Sequence, residues 1–179
     1  MRIIAGRFRS RRLKSVPGLA VRPTPDRLRE SLFSILAPRL PGLVFLDAYA
    51  GSGAVGIEAL SRAAKHAIFI ERNAPALSVL RENLRALGIA AEATVVRGSA
   101  AVLLPNYLAD IAFIDPPYEQ THEYAASLIA LASTRCALAI AQHSSRLVLE
   151  DRYGDLFKTR IVKQGDNSLT FYERLASSI

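Results

Sequence analysis

Between residues 43 and 142, short apolar runs alternate with helix-length stretches, and this alternation leaves few folds open to the chain. Strands are expected at 43–48, 66–71, 93–97, 110–115 and 138–142. Helices are expected at 54–64, at 74–87 with Gly88 closing it, and at 122–132, with a short helix or turn at 100–107. The strand runs are apolar throughout instead of alternating with polar residues, as in strands covered on both faces of a parallel sheet. The expected fold is therefore α/β and Rossmann-like: a central, mostly parallel sheet with helices on both faces. Residues 156–164 and 168–174 flank Gly165-Asp166-Asn167 and are expected to close the sheet as an antiparallel C-terminal hairpin. At 179 residues the chain is long enough for one domain with a short extension. We divide it into a basic extension, 1–24, and a main domain, 25–179.

The extension carries Arg2, Arg7, Arg9, Arg11, Arg12 and Lys14 with no acid among them, in a chain of net charge +7. Ile3, Ile4, Phe8 and Leu13 are interleaved with these charges, which suggests a strand or hairpin docked on the body. Arg7, Arg9, Arg11, Arg12, Lys14 and Arg22 are candidate nucleic-acid contacts through phosphate, against the plainer reading of a solvated basic terminus. Thr24 is placed as a helix N-cap, with Pro25 at the first helical position and Asp26 in the first turn. Leu28, Leu32, Ile35 and Leu36 then recur at helical spacing, until Pro38 and Pro41-Gly42 stop the helix.

Two motifs carry the chemistry. The first strand runs into Asp47-Ala48-Tyr49-Ala50-Gly51-Ser52-Gly53-Ala54-Val55-Gly56, a G-x-G-x-x-G loop between strand and helix. Gly51 and Gly53 allow a tight turn and close approach of a cofactor. Glu71 ends the next strand, 20 residues after Gly51, where a carboxylate can accept both hydroxyls of a ribose. A nicotinamide cofactor fits this pattern as well. Asp47 at the strand end suits the cationic amino acid end of S-adenosylmethionine better than a pyrophosphate. The second motif, Asp115-Pro116-Pro117-Tyr118, follows the apolar run 111–114. Neither proline has an N–H for the ladder, so the backbone leaves the sheet there. The turn offers a carboxylate, carbonyls and an aromatic face to a flat base bearing an amino group. As a four-residue match it is also compatible with an ordinary strand-ending turn.

Composition excludes several classes. The single Cys136 rules out an internal disulfide and a multi-cysteine zinc site. His66, His122 and His143 are scattered without metal-ligand spacing, so no metal is expected. No apolar run reaches the ~20 residues of a membrane span, and no secretory signal follows the basic start. The expectation is a cytoplasmic, monomeric protein.

The chain resembles the RsmD-like family of small-subunit ribosomal RNA methyltransferases. The likeness lies in Arg2-Ile3-Ile4-Ala5-Gly6, in the run from Arg22-Pro23-Thr24-Pro25-Asp26-Arg27 to Phe33, in the glycine loop with Gly56-Ile57-Glu58-Ala59-Leu60, in Glu71-Arg72-Asn73 and in Asp115-Pro116-Pro117-Tyr118. The resemblance implies a class I methyltransferase that moves a methyl group from S-adenosylmethionine to the N2 amine of a guanine in 16S ribosomal RNA. The partner is then that RNA or a small-subunit assembly particle. It implies cofactor contacts from Asp47, Tyr49, Gly51, Gly53, Glu71 and Arg72, and catalytic roles for Asp115, Pro116, Pro117 and Tyr118. Class I methyltransferases often place an acid after the third strand; this chain has Arg97-Gly98-Ser99, so Ser99 offers only a neutral hydrogen bond to the adenine. An adenine-N6 DNA methyltransferase and a noncatalytic RNA-binding module remain open as alternatives.

Overall fold

The computed structural model describes residues 1–16 and 26–174. The strands are β1 (Val44–Asp47), β2 (His66–Glu71), β3 (Ala93–Arg97), β4 (Ile111–Ile114), β5 (Leu138–Ser144), β6 (Arg152–Tyr153), β7 (Leu156–Gln164) and β8 (Asn167–Arg174). The helices are α1 (Asp26–Leu36), α2 (Ala54–Ser61), α3 (Ala74–Leu87), α4 (Ala100–Leu103) and α5 (His122–Ala132). Among the described residues the strands form one sheet in the order β3-β2-β1-β4-β5-β8-β7-β6. β1 to β5 run parallel, and the last three strands are antiparallel. Strand order reverses between β1 and β4, so the carboxyl ends of these two strands flank the topological switch point, where open α/β sheets bind ligands.

Each face of the sheet packs its own core. α1, α2 and α3 cover one face, burying Leu32, Phe33, Ile57 and Leu80 against Phe45, Phe69 and Phe113. α4 and α5 cover the other, where Leu104, Leu128 and Leu131 meet Leu46, Ile70 and Ile114. Burial on both faces is why β1, β2 and β4 read as unbroken apolar runs. No helix among the described residues is long and apolar enough to cross a membrane.

Local chemistry sets the element ends. The Asn73 side chain accepts the Ala76 N–H to cap α3, and Gly88, left-handed at φ 71°, ends it. α2 stops at Ser61, three residues short of the expected end, because Ala63 turns left-handed (φ 74°) and Ala64 N–H reaches back to the Ala59 carbonyl. β5 continues to Ser144, two residues past its expected end, because β8 pairs along its whole length. The C-terminal hairpin forms around Gly165-Asp166, but not at the sheet edge: β8 lies inside, and the two-residue β6, not anticipated from sequence, extends the sheet beyond β7. The expected region 100–107 is one turn of α-helix followed by a 3-10 turn at Leu104–Asn106. The proposed cap Thr24, Pro25 and the 24/25 boundary lie outside the described residues.

Residues 1–16 make a short hairpin, with Arg2 bridged to Arg12 and Ile3 N–H bonded to the Arg11 carbonyl. Ile3 and Leu13 are buried in the core beneath α1 to α3. The fully buried Glu58 of α2 accepts the Ile4 and Ala5 N–H groups at 2.8 and 3.0 Å and the Arg62 Nε at 2.8 Å. Ser61 Oγ donates to the Ala5 carbonyl and accepts the Phe8 N–H. Gly6 sits at φ 83° with its Cα facing Ser61: a Cβ there would lie 1.9 Å from the Ser61 carbonyl oxygen. The arm is therefore clamped by α2 through atoms that only glycine leaves room for.

Candidate active site

The glycine loop leaves β1 at Asp47 and enters α2 at Ala54. Gly51 is left-handed (φ 54°), and a Cβ on it would meet nothing within 4 Å, so this backbone faces open space. Gly53 and Gly56 have a different task. A Cβ on Gly53 would fall 2.2 Å from Leu80 Cδ1, and one on Gly56 would fall 2.3 Å from the Phe69 ring. These two glycines bring α2 close to α3 and to the sheet.

Two carboxylates brace the loop. Asp47 is 2 % exposed, and its Oδ2 accepts the Gly56 N–H at 3.0 Å. Burial pushes its carboxyl up to about 7; the Gly56 N–H opposes that shift and the nearby Glu71 carboxylate adds to it. Glu71, at the end of β2, accepts Gly51 N–H and Asn73 N–H, each at 2.8 Å. Each carboxylate oxygen keeps a second lone pair. Tyr49 turns its hydroxyl toward α5, 2.8 Å from Glu123 Oε2 and 2.7 Å from Ser127 Oγ. Burial raises the Tyr49 phenol above its ordinary range. Arg72 reaches Gln120 Oε1 at 2.6 Å, with Glu123 Oε1 at 4.0 Å. Residues following β1, β2 and β4 thus meet at Glu123, which sequence reasoning passed over because a lone acid in the first turn of a helix looks like ordinary dipole compensation. Ser99 stands half-buried at the N-terminus of α4, one residue past Gly98, whose N–H bonds the Glu71 carbonyl.

The second motif leaves β4 next door. Asp47 and Phe113 are register partners, so Asp115 starts its turn beside the glycine loop. Asp115 is half-buried, Pro116 is buried, and Pro117 is exposed with its carbonyl accepting Gln120 N–H at 2.8 Å. Tyr118 is 48 % exposed, and its hydroxyl donates to Asn167 Oδ1 at 2.7 Å. That bond anchors the ring by its polar edge to the first residue of β8, and stacking on a base uses the face of a ring, not its edge. Burial, and then the Asp115 carboxylate, push the Tyr124 phenol above its ordinary range, and its hydroxyl donates to the Gln142 carbonyl.

The basic arm does not join this cluster. It lies along α2 and α3. Arg7 pairs with Glu92 and sits 4.6 Å from the Phe8 ring centroid. Arg11 donates to the Ala86 carbonyl, and Lys14 pairs with Glu82 at 2.8 Å. Arg9 and Arg12 are exposed and in no ion pair among the described residues; Arg22 lies outside those residues. One link to the glycine loop exists. The buried Asn83 accepts Lys14 N–H at 2.8 Å and donates to the Lys14 and Ser52 carbonyls. No group of three or more potential metal ligands occurs among the described residues.

Comparison with known proteins follows the same lines. The model of the family described as "Conserved hypothetical protein 95" matches residues 1–173. The candidate rRNA methyltransferase YlbH of Bacillus subtilis is 34 % identical over 185 residues, covering 97 % of this chain and 99 % of that protein. Ribosomal RNA small subunit methyltransferase D of Escherichia coli K12 is 42 % identical over 122 residues, which span 67 % of this chain and 61 % of that relative. The solved structure of the candidate methyltransferase yhhF from Escherichia coli superposes with a TM-score of 0.84 at 34 % identity, covering 99 % of each chain.

Proposed function

The chain belongs to the RsmD-like family described as "Conserved hypothetical protein 95", and from that premise we propose that it methylates the N2 amine of a guanine in 16S ribosomal RNA, using S-adenosylmethionine. The observation that carries this reading is the placement of Asp115-Pro116-Pro117-Tyr118 beside the glycine loop, at the point where strand order reverses. The donor set fits the cofactor. Gly51 offers backbone with open space in front of it, Glu71 has lone pairs for ribose hydroxyls, and Asp47 offers a buried carboxylate to an ammonium group. When bound, S-adenosylmethionine supplies an activated methyl group on a sulfonium.

The chain's own residues do the rest. An exocyclic amine is a weak nucleophile because its lone pair is delocalised into the base. Asp115 and the Pro116 carbonyl accept its two N–H bonds and favour a pyramidal nitrogen, stabilising charge that develops in the transition state. Tyr118 stacks on the base once it is extruded. Exposed arginines of the arm contact phosphate and position the RNA without reading its bases. Nucleoside mass spectrometry of small-subunit RNA, from cells with and without the protein and after incubation in vitro, tests the reading. Loss of one N2-methylguanosine and its restoration by purified protein is expected; N6-methyladenosine in DNA as the product would overturn it.

A further inference from the structure

A deeply buried acceptor near the strand ends lacks a hydrogen-bond partner among the described residues. Gln142 lies near the end of β5, 3 % exposed, and its Oε1 is buried without a hydrogen bond. A buried acceptor left unpaired destabilises the fold, so its presence needs a reason. Its position supplies one. Ile114 of β4 is opposite Ala141 of β5, the last pair of that register, so the chain leaves β4 at Asp115 on the level of Gln142. Gln142 faces the side of the sheet that α1 to α3 cover. Ile111 and Phe113 of β4, and Leu138 and Ile140 of β5, all enter the core beneath α1 to α3, and side chains alternate along a strand. Gln142 therefore projects toward that face, and Asp115 comes two residues after Phe113, at the exit of β4. Asn167, the partner of the Tyr118 hydroxyl, is on the same face one strand over, because Leu169 and Phe171 belong to that core. Gln164, opposite Asn167 in the hairpin, has a second buried Oε1 without a partner among the described residues, and the Oγ of Ser168, next to Asn167, is a further such atom. The target turn is thus continued across β5, β8 and β7 by three carboxamides, two of which have an unused acceptor.

Resting on the function proposed above, we propose that Gln142 is a specificity residue that accepts the N1–H of the target guanine. With Asp115 and the Pro116 carbonyl on the N2 amine, the ring atoms beside it are N1, a donor, and N3, an acceptor; of these only N1–H can pair with the acceptor that the adjacent strand holds at Gln142. In guanine N1 is a donor; in adenine it is an acceptor and would set lone pair against lone pair. Gln142 Oε1 is already stripped of water, so forming this bond carries no new desolvation cost on the protein side. A base without the donor leaves the acceptor unpaired, which is how a polar pocket rejects a near-isostere.

The test uses an RNA carrying the guanine mapped by mass spectrometry and the same RNA with 2-aminopurine in its place. 2-Aminopurine keeps the N2 amine but lacks both the N1–H and the O6, so the change of preference in the Gln142 variants isolates the N1–H. The wild-type protein is expected to favour guanine in kcat/KM by at least about tenfold. Gln142→Leu is expected to bring that ratio close to one, chiefly through slower reaction of guanine, whereas Gln142→Glu, still an acceptor, retains the preference. Gln142→Met, unbranched and of similar length, replaces the leucine variant if the latter does not fold. A ratio in the leucine or methionine variant equal to wild type overturns the assignment while leaving guanine-N2 methylation intact. A wild-type product methylated elsewhere than guanine N2 overturns the function itself, and the two failures are told apart by the mass spectrum.

Discussion

Asp115 and Asp47 are carboxylates at the ends of adjacent strands, and their surroundings separate what they can do. Asp115 is half-buried on a turn that two prolines hold rigid, so it can meet a substrate amine. Asp115→Ala is expected to lower turnover by about 10²–10³-fold while calorimetry finds cofactor affinity within a few-fold of wild type. Near-normal turnover in a folded variant would remove Asp115 from the chemistry. Asp47 is enclosed, and burial holds its carboxyl up at about 7 against 3.8 in an exposed chain. The native state therefore binds the proton more tightly than the unfolded chain. Its contribution to stability is full below about pH 4 and lost as pH rises to about 7, for at most about 4 kcal/mol at 1.36 per unit. Urea unfolding without cofactor at pH 5 and pH 8 should show this loss in wild type and a smaller one in Asp47→Asn. Equal pH dependence in both proteins would show that Asp47 is not the group responsible.

At the scale of the element, the arm hairpin distributes its charges unevenly. Arg7, Arg11 and Lys14 are engaged with α3 and the turn after it, whereas Arg9 and Arg12 are exposed and in no ion pair among the described residues. The exposed pair should carry most of the counterion release. Arg9→Ala/Arg12→Ala is expected to weaken RNA binding and flatten its log–log salt slope by about 0.7–0.9 for each phosphate the arm no longer neutralises. The same change at Arg7 and Arg11 should move the slope less, because those guanidiniums already have protein partners. Filter binding across a salt series decides, and an unchanged slope in the Arg9/Arg12 variant would remove the hairpin from the RNA interface.

For the whole molecule, the arm is a structural part of the fold as well as a basic surface. Removing residues 1–14 would uncover the Ile3 and Leu13 sites and leave the fully buried Glu58 without two of its donors. Two apolar side chains at about 1.5–3 kcal/mol each already amount to about 3–6 kcal/mol, much of a domain's net stability. The truncated protein is expected to unfold at far lower denaturant than wild type, or to be insoluble. A truncated protein with the wild-type urea midpoint would make the arm a dispensable tail.

The strand–helix alternation and the motif positions were legible in the residues alone, because apolar runs, glycines and prolines act through local backbone physics. A parallel strand buried on both faces must be apolar throughout, and two prolines must end β4. Gly6 could be noted as punctuation, but not as the glycine demanded by Ser61. Other features depended on which strands became neighbours. β8 entered the sheet between β5 and β7, which brought Asn167 to Tyr118 across 49 residues of chain. Tyr49 and Arg72, both candidate cofactor contacts, also meet at Glu123, 74 and 51 residues further on. Gln142 lies in a strand-length run and carries no motif; only the pairing of β4 with β5 brought the end of β5 next to the turn that starts at Asp115. Side-chain partners far apart in sequence are fixed by strand order and register, and no local pattern encodes either.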